Sequence, residues 1–68
     1  MKPHRLTPRT RQVLRLIAEG HSTKQIAYAM GISYKTADTH RRALYVSLDL
    51  HSIAMLTRYA VRIGLVEA

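Results

Sequence analysis

The sequence predicts an all-α domain, a four-helix bundle-like arrangement with a helix-turn-helix at its centre. Three observations carry that reading. Apolar residues recur at helical spacing in four separate stretches, each preceded by Ser or Thr and followed by Gly or Asp. The break between the second and third stretches is only about three residues long and contains a glycine, which is how two helices of a helix-turn-helix are joined. With 68 residues and 47% apolar content, the chain can build one modest core and has too much apolar content for a disordered tail.

Lys2, His4 and Arg5 show no periodicity, so residues 1–6 read as a basic arm, either disordered or laid against a phosphate backbone. Residues 7–68 form the domain. Thr7 followed by Pro8 is a helix cap with proline at the first helical position, where a missing N–H costs nothing. The first helix is expected from Pro8 to Glu19. Val13, Leu14 and Ile17 form its apolar stripe, Gly20 is its stop, and Arg9, Arg11 and Arg15 form a solvated basic face. Ser22 or Thr23 caps a second helix over residues 23 to 30, in which Ile26, Ala27 and Met30 are the apolar positions. Lys24 sits in its first turn, where a cation opposes the helix dipole. That placement suits either a nearby phosphate or plain exposure.

The segment Gly31 to Arg42, GISYKTADTHRR, gives the rest of the chain its meaning. Ser33 is the expected cap of a third helix that runs to about Leu48. At about 100° per residue, Ala37, His40, Leu44 and Leu48 gather on one side and Lys35, Asp38, Thr39 and Arg42 on the other. One face packs, and the other presents hydrogen-bonding groups. Asp49 ends this helix, and Ser52 caps a fourth over about residues 53 to 63, with Gly64 as its stop. On the fourth helix Ile53, Thr57, Ala60 and Val61 are read as the core face, with Leu56, Tyr59 and Ile63 as a second apolar stripe. That combined arc exceeds what one small core needs, so Leu56, Tyr59 and Ile63 are read as a dimer interface, against a wider intramolecular core.

The chain carries 11 Lys and Arg against 4 Asp and Glu, a net charge of +7 with a pI near 10.6. A polyanion is the expected partner. Cysteine is absent, so disulfides and thiolate metal sites do not arise. The four histidines are scattered over separate segments, His40 and His51 do not match a zinc spacing, and there is no glycine-rich phosphate loop. Neither an enzyme, nor a metal site, nor a cofactor is expected, and His40 is read as a packed histidine. The basic N-terminus lacks the apolar stretch of a secretory signal and no apolar run can cross a bilayer, so a cytoplasmic protein is expected, and a nucleoid-associated one if its polyanion is DNA.

The third helix supplies what duplex reading needs. Lys35 and Arg42 are donors for guanine O6 and N7 or for phosphates, and Thr39 can place its methyl against thymine. Asp38 is repelled by phosphate. It is tolerable there if it accepts from cytosine N4 or orients a basic neighbour such as Arg42, and otherwise it is an ordinary i,i+4 ion pair. Base contacts are therefore assigned to Lys35, Asp38, Thr39 and Arg42. Phosphate contacts are assigned to Thr23, Lys24, Ser33, Tyr34, Thr36 and Arg41.

The stretch LTPRTRQVLRLIAEGHSTKQIAYAMGISYKTADTHRRALYVSLDL, continued by LTRYAVRIGLV, closely resembles the LuxR-type, or GerE-like, domain of bacterial transcription regulators over about residues 6 to 66. The landmarks are Leu6-Thr7 with Arg9, Val13-Leu14, Gly20, Ile26-Ala27, Gly31-Ile32-Ser33, Thr36, Thr39-His40, Leu48 and Ala60. The resemblance implies a four-helix double-stranded-DNA-binding domain whose third helix reads the major groove and whose fourth commonly mediates dimerisation. It also implies that positions matching Asp38, Thr39 and Arg42 face bases, and that those matching Lys24 and Thr36 lie near phosphates. Departures from the family pattern are Thr10 for Glu, Ala37 for Val, Asp38 for a basic residue, Ser47 for Lys and Asp49 for Gly. The resulting expectation is a sequence-specific transcription regulator, a homodimer on DNA, with neither a membrane nor a small-molecule ligand as partner of this chain. The alternative is a protein-interaction module, an antagonist pairing with a related regulator through the fourth helix. Both a complete small protein and an excised output domain suit the sequence.

Overall fold

A computed structural model describes residues 6–67, so residues 1–5 of the expected arm, with Lys2, His4 and Arg5, lie outside the described residues, whereas Leu6, placed in the arm, packs half-buried against the core. The elements are α1 (Pro8–Ala18), α2 (Thr23–Met30), α3 (Tyr34–Leu48) and α4 (Ile53–Arg62), with no strand among the described residues. Among the described residues, no helix is long and apolar enough to cross a membrane.

Each helix begins on a hydroxyl cap that satisfies an N–H the helix cannot pair itself. The Thr7 hydroxyl accepts from the Thr10 amide at 3.1 Å, and Ser52 accepts from the Met55 amide at 3.2 Å. At α2 the cap is Ser22, not Thr23. Ser22 accepts from the Gln25 amide at 3.1 Å while the Gln25 side chain accepts from the Ser22 amide at 2.8 Å, a reciprocal capping box.

All four helices also end alike, one residue in the left-handed or positive-φ region being followed by a residue whose amide reaches back five positions. The bonds are His21 to the Leu16 carbonyl, Ile32 to Ala27, Leu50 to Tyr45 and Leu65 to Ala60. This is the Schellman closure, and it folds the apolar Ile32, Leu50 and Leu65 back onto the core. Three of the turning residues are glycine. The fourth is Asp49, at φ 55°, the one non-glycine residue with positive φ among the described residues. A Cβ is disfavoured there, and a carboxylate at a helix C-terminus opposes the dipole. Asp49→Gly is therefore expected to raise stability by about 0.5–1 kcal/mol, read as an upward shift of the urea midpoint with unchanged slope.

The core joins Val13, Leu14 and Ile17 of α1 to Ile26 and Ala27 of α2, Ala37, Leu44 and Leu48 of α3, and Leu56 and Ala60 of α4. α1 packs against all three other helices, α2 and α3 pack on each other, and α4 lies chiefly on α1. The expectations for α1, α2 and α3 match this core, except that Met30 and His40 are only half-buried. For α4 they need correcting. Leu56, expected at a dimer interface, is fully buried, whereas Ile53, expected in the core, is 49% exposed. The line that faces α1 is Leu56 and Ala60, one turn apart. Thr57 and Val61 are half-buried on one side of it, and Tyr59 is half-buried on the other, next to the exposed Ile63. An apolar arc this wide offers several lines for burial, and periodicity alone does not choose among them.

Candidate nucleic-acid interface

Gly31, at φ 67°, Ile32 and Ser33 make the turn that sets α3 across α2. With Ala37, Leu44 and Leu48 held in the core, the opposite side of α3 is fixed by helical geometry. Lys35, Thr39 and Arg42 are exposed on that side, and Ala43 and Val46 extend the same stripe. Val46 is 82% exposed, an apolar side chain one turn beyond Arg42. The reading from sequence did not single it out, although its spacing of four from Arg42 and seven from Thr39 places it on that stripe.

The local bonds decide what each group presents. The Ser33 hydroxyl accepts from the Thr36 amide at 3.0 Å and donates to the Thr36 hydroxyl at 2.9 Å, so these two residues close the start of α3 as a pair. Tyr34 beside them is 59% exposed. The Thr39 hydroxyl donates back to the Lys35 carbonyl at 3.0 Å, which leaves its methyl as the outward group.

Asp38 is bonded on both carboxylate oxygens. Oδ1 accepts from Arg41 Nη2 at 2.7 Å and Oδ2 accepts from Arg42 Nε at 2.8 Å. The three side chains differ in exposure, with Asp38 at 19%, Arg41 at 28% and Arg42 at 74%. Arg41 also lies over the Tyr45 ring, 5.8 Å from its centroid. Hydrogen bonds from Arg41 and then Arg42 hold the Asp38 carboxyl below its usual range, and the same contact raises Arg41. By linkage, pairing of a carboxylate with a lowered folded-state value is complete above its unfolded value. It is lost as pH falls through the lowered one. Asp38 is thus ionised and paired throughout the neutral range.

The residues assigned to phosphate fall into three groups. Ser33, Tyr34 and Thr36 cluster at the start of α3. Thr23 and Arg41 line a depression with Ile17, Ser22, Gln25 and Ile53, where the end of α1 meets the start of α2. Lys24 stands on the outer side of α2 beside His21 and Tyr28, the latter 90% exposed. None of the four helices carries an acidic residue in its first turn, so no side-chain carboxylate there opposes an anion at a helix N-terminus. No cluster of three or more His, Asp or Glu able to share a metal ion occurs among the described residues.

These features define the class: a compact helix-turn-helix domain whose third helix carries an exposed basic stripe. The sequence profile of the family described as bacterial regulatory proteins, luxR family, matches residues 4–60. The chain is similar to the transcriptional regulatory protein MctR of Rhizobium johnstonii, 48% identical over 62 residues, covering 91% of this chain and 29% of that protein. It is 41% identical over 61 residues to the response regulatory protein YgeK of Escherichia coli, covering 90% of this chain and 42% of that one. It is 36% identical over 62 residues to the oxygen regulatory protein NreC of Staphylococcus haemolyticus, covering 91% and 29% respectively. The chain belongs to the luxR family and is a DNA-binding domain of its transcription regulators. It spans less than half the length of these relatives.

Proposed function

We propose that this domain binds double-stranded DNA sequence-specifically, without enzymatic activity, by laying α3 in the major groove. The observation that carries this reading is the exposed stripe Lys35, Thr39 and Arg42, set opposite the buried Ala37, Leu44 and Leu48 on a chain of net charge +7. Ser33, Tyr34 and Thr36 at the start of that helix, and Thr23 and Lys24 at the start of α2, serve as phosphate contacts. Arg41 contributes mainly its charge, since its guanidinium is folded against Asp38 and Tyr45. Selection of bound duplexes from a random pool tests the reading and returns base preference and half-site spacing together. If about five phosphates are neutralised, the logarithm of the association constant should fall with the logarithm of salt at a slope of roughly −4 to −5. A chain that leaves every duplex unbound, yet associates with a longer relative, would instead be the antagonist.

The active form is a homodimer held by α4, acting in the cytoplasm on the nucleoid. Support comes from exposed apolar side chains on both sides of the buried Leu56–Ala60 line, Ile53 at 49% on one and Ile63 at 41%, beside Tyr59, on the other. Leu56 has no part in the contact. Ile53→Glu and Ile63→Glu should each leave the fold intact, and one of them should hold the protein monomeric in sedimentation at concentrations where wild type dimerises. Wild type that stays monomeric even on a two-site duplex would rule out the dimer.

A further inference from the structure

We propose that Asp38 is a positioning residue that aims Arg42 at guanine and does not itself read a base. This rests on the reading above, with α3 in the major groove, and assigns roles within that surface.

Direct reading of cytosine needs a carboxylate oxygen projected from the stripe towards the base edge. Asp38 lies on the flank of the stripe, 19% exposed, and each of its oxygens already accepts a charge-assisted bond, one from Arg41 and one from Arg42. Each oxygen could accept a second bond, so it is placement that argues against cytosine: held to the flank of the stripe by two arginines, the carboxylate would reach a base edge only by giving up those contacts for a bond to a neutral amine.

Arg42 is the complement of this arrangement. Its Nε–H is committed to Asp38 at 2.8 Å, while the side chain as a whole is 74% exposed. The guanidinium is therefore held through Nε on a side chain that stays mostly exposed, which leaves its two terminal nitrogens available to a partner. Two parallel N–H donors at the end of a planar fork match guanine O6 and N7. Pinning also removes rotamer freedom before binding, so less is lost when the base contact forms.

The pin is itself supported. Arg41 holds the other oxygen of Asp38 at 2.7 Å and rests over Tyr45, so Tyr45, Arg41, Asp38 and Arg42 form one chain of contacts along two turns of α3. Two guanidinium groups around one carboxylate leave the cluster net positive, which is how an acid is accommodated on a surface facing phosphates.

The test is a cycle of Asp38→Ala, Arg42→Ala and the double variant, each assayed by duplex selection and by affinity for a random duplex. Asp38→Ala should lower the preference for guanine at the position read by Arg42 about three- to tenfold. It should raise affinity for random duplex a few-fold, because a carboxylate leaves the phosphate-facing side. A side chain needed only for folding would lower both. Asp38→Asn, whose amide oxygen can still accept from Nε, should recover part of the guanine preference. In the Arg42→Ala background, Asp38→Ala should change base preference no further. Loss of a cytosine preference at a separate base pair, persisting in that background, would overturn the proposal in favour of direct reading. An unchanged guanine preference in Asp38→Ala would overturn it too. If the wild-type protein fails to bind any duplex, it is the groove-binding reading itself that falls.

Discussion

Leu56→Ala is expected to destabilise the domain by about 3 kcal/mol, within the range of roughly 2–5 kcal/mol for a buried leucine cut to alanine. Leu56 is fully buried where α4 meets α1, packed in one cluster with Leu14, Ile17 and Ala60. Truncation removes three carbons of buried apolar side chain and leaves a cavity between two rigid helices, which can close only partly. A core of this size rarely nets more than roughly 3–5 kcal/mol, so the variant should keep at most about 0–2 kcal/mol and populate the unfolded state appreciably at room temperature. Helical circular dichroism against urea measures this directly. A loss below about 0.5 kcal/mol would mean that Leu56 is not in the core, and would return it to the surface where periodicity had placed it.

Arg42→Ala is the second large effect, this time on binding. It should cost about 1–3 kcal/mol on the preferred duplex and flatten the preference at one base pair, because a bidentate contact to a base edge is lost. Affinity for random duplex should fall much less, by the share of a single phosphate-facing charge. Fluorescence anisotropy at fixed salt, with a selected and a random duplex, separates the two. Equal losses on both would show that Arg42 neutralises phosphate and reads nothing.

The two residues illustrate what could be read in advance. Arg42 follows from α3 alone. Ala37, Leu44 and Leu48 fix the buried side, so the exposed side is determined by spacing, and its chemistry is visible in the residue types. The caps were equally legible at Thr7, Ser33 and Ser52, since a hydroxyl ahead of an apolar periodic run acts within four residues. The second cap was ambiguous between Ser22 and Thr23. What selects Ser22 is Gln25, three positions on, completing a capping box that Thr23 could not share.

Leu56 shows the opposite case. Ile53, Leu56, Tyr59, Ala60, Val61 and Ile63 are all apolar or aromatic, and any of three adjacent lines along α4 could have been buried. The choice was made by packing on α1: Leu56 and Ala60 join Val13, Leu14 and Ile17 in the buried cluster, and Ile53 stays outside it. Val46 went unnoticed for a related reason. A valine in a helix is expected inside, and that expectation masked the spacing that sets Val46 on the side opposite Leu44 and Leu48.

The sequence by itself determined the four helices, their caps and closures, the turn between α2 and α3, and the kind of surface α3 carries. These depend on contacts within about one helical turn, where residue type and spacing suffice. Only the tertiary structure decided which line of α4 is buried. The folded side chains likewise decided that Asp38 spends both oxygens on Arg41 and Arg42. The first depends on the shape of a neighbouring helix distant in sequence. The second depends on which of several competing partners each side chain takes, at distances that spacing allows but does not choose.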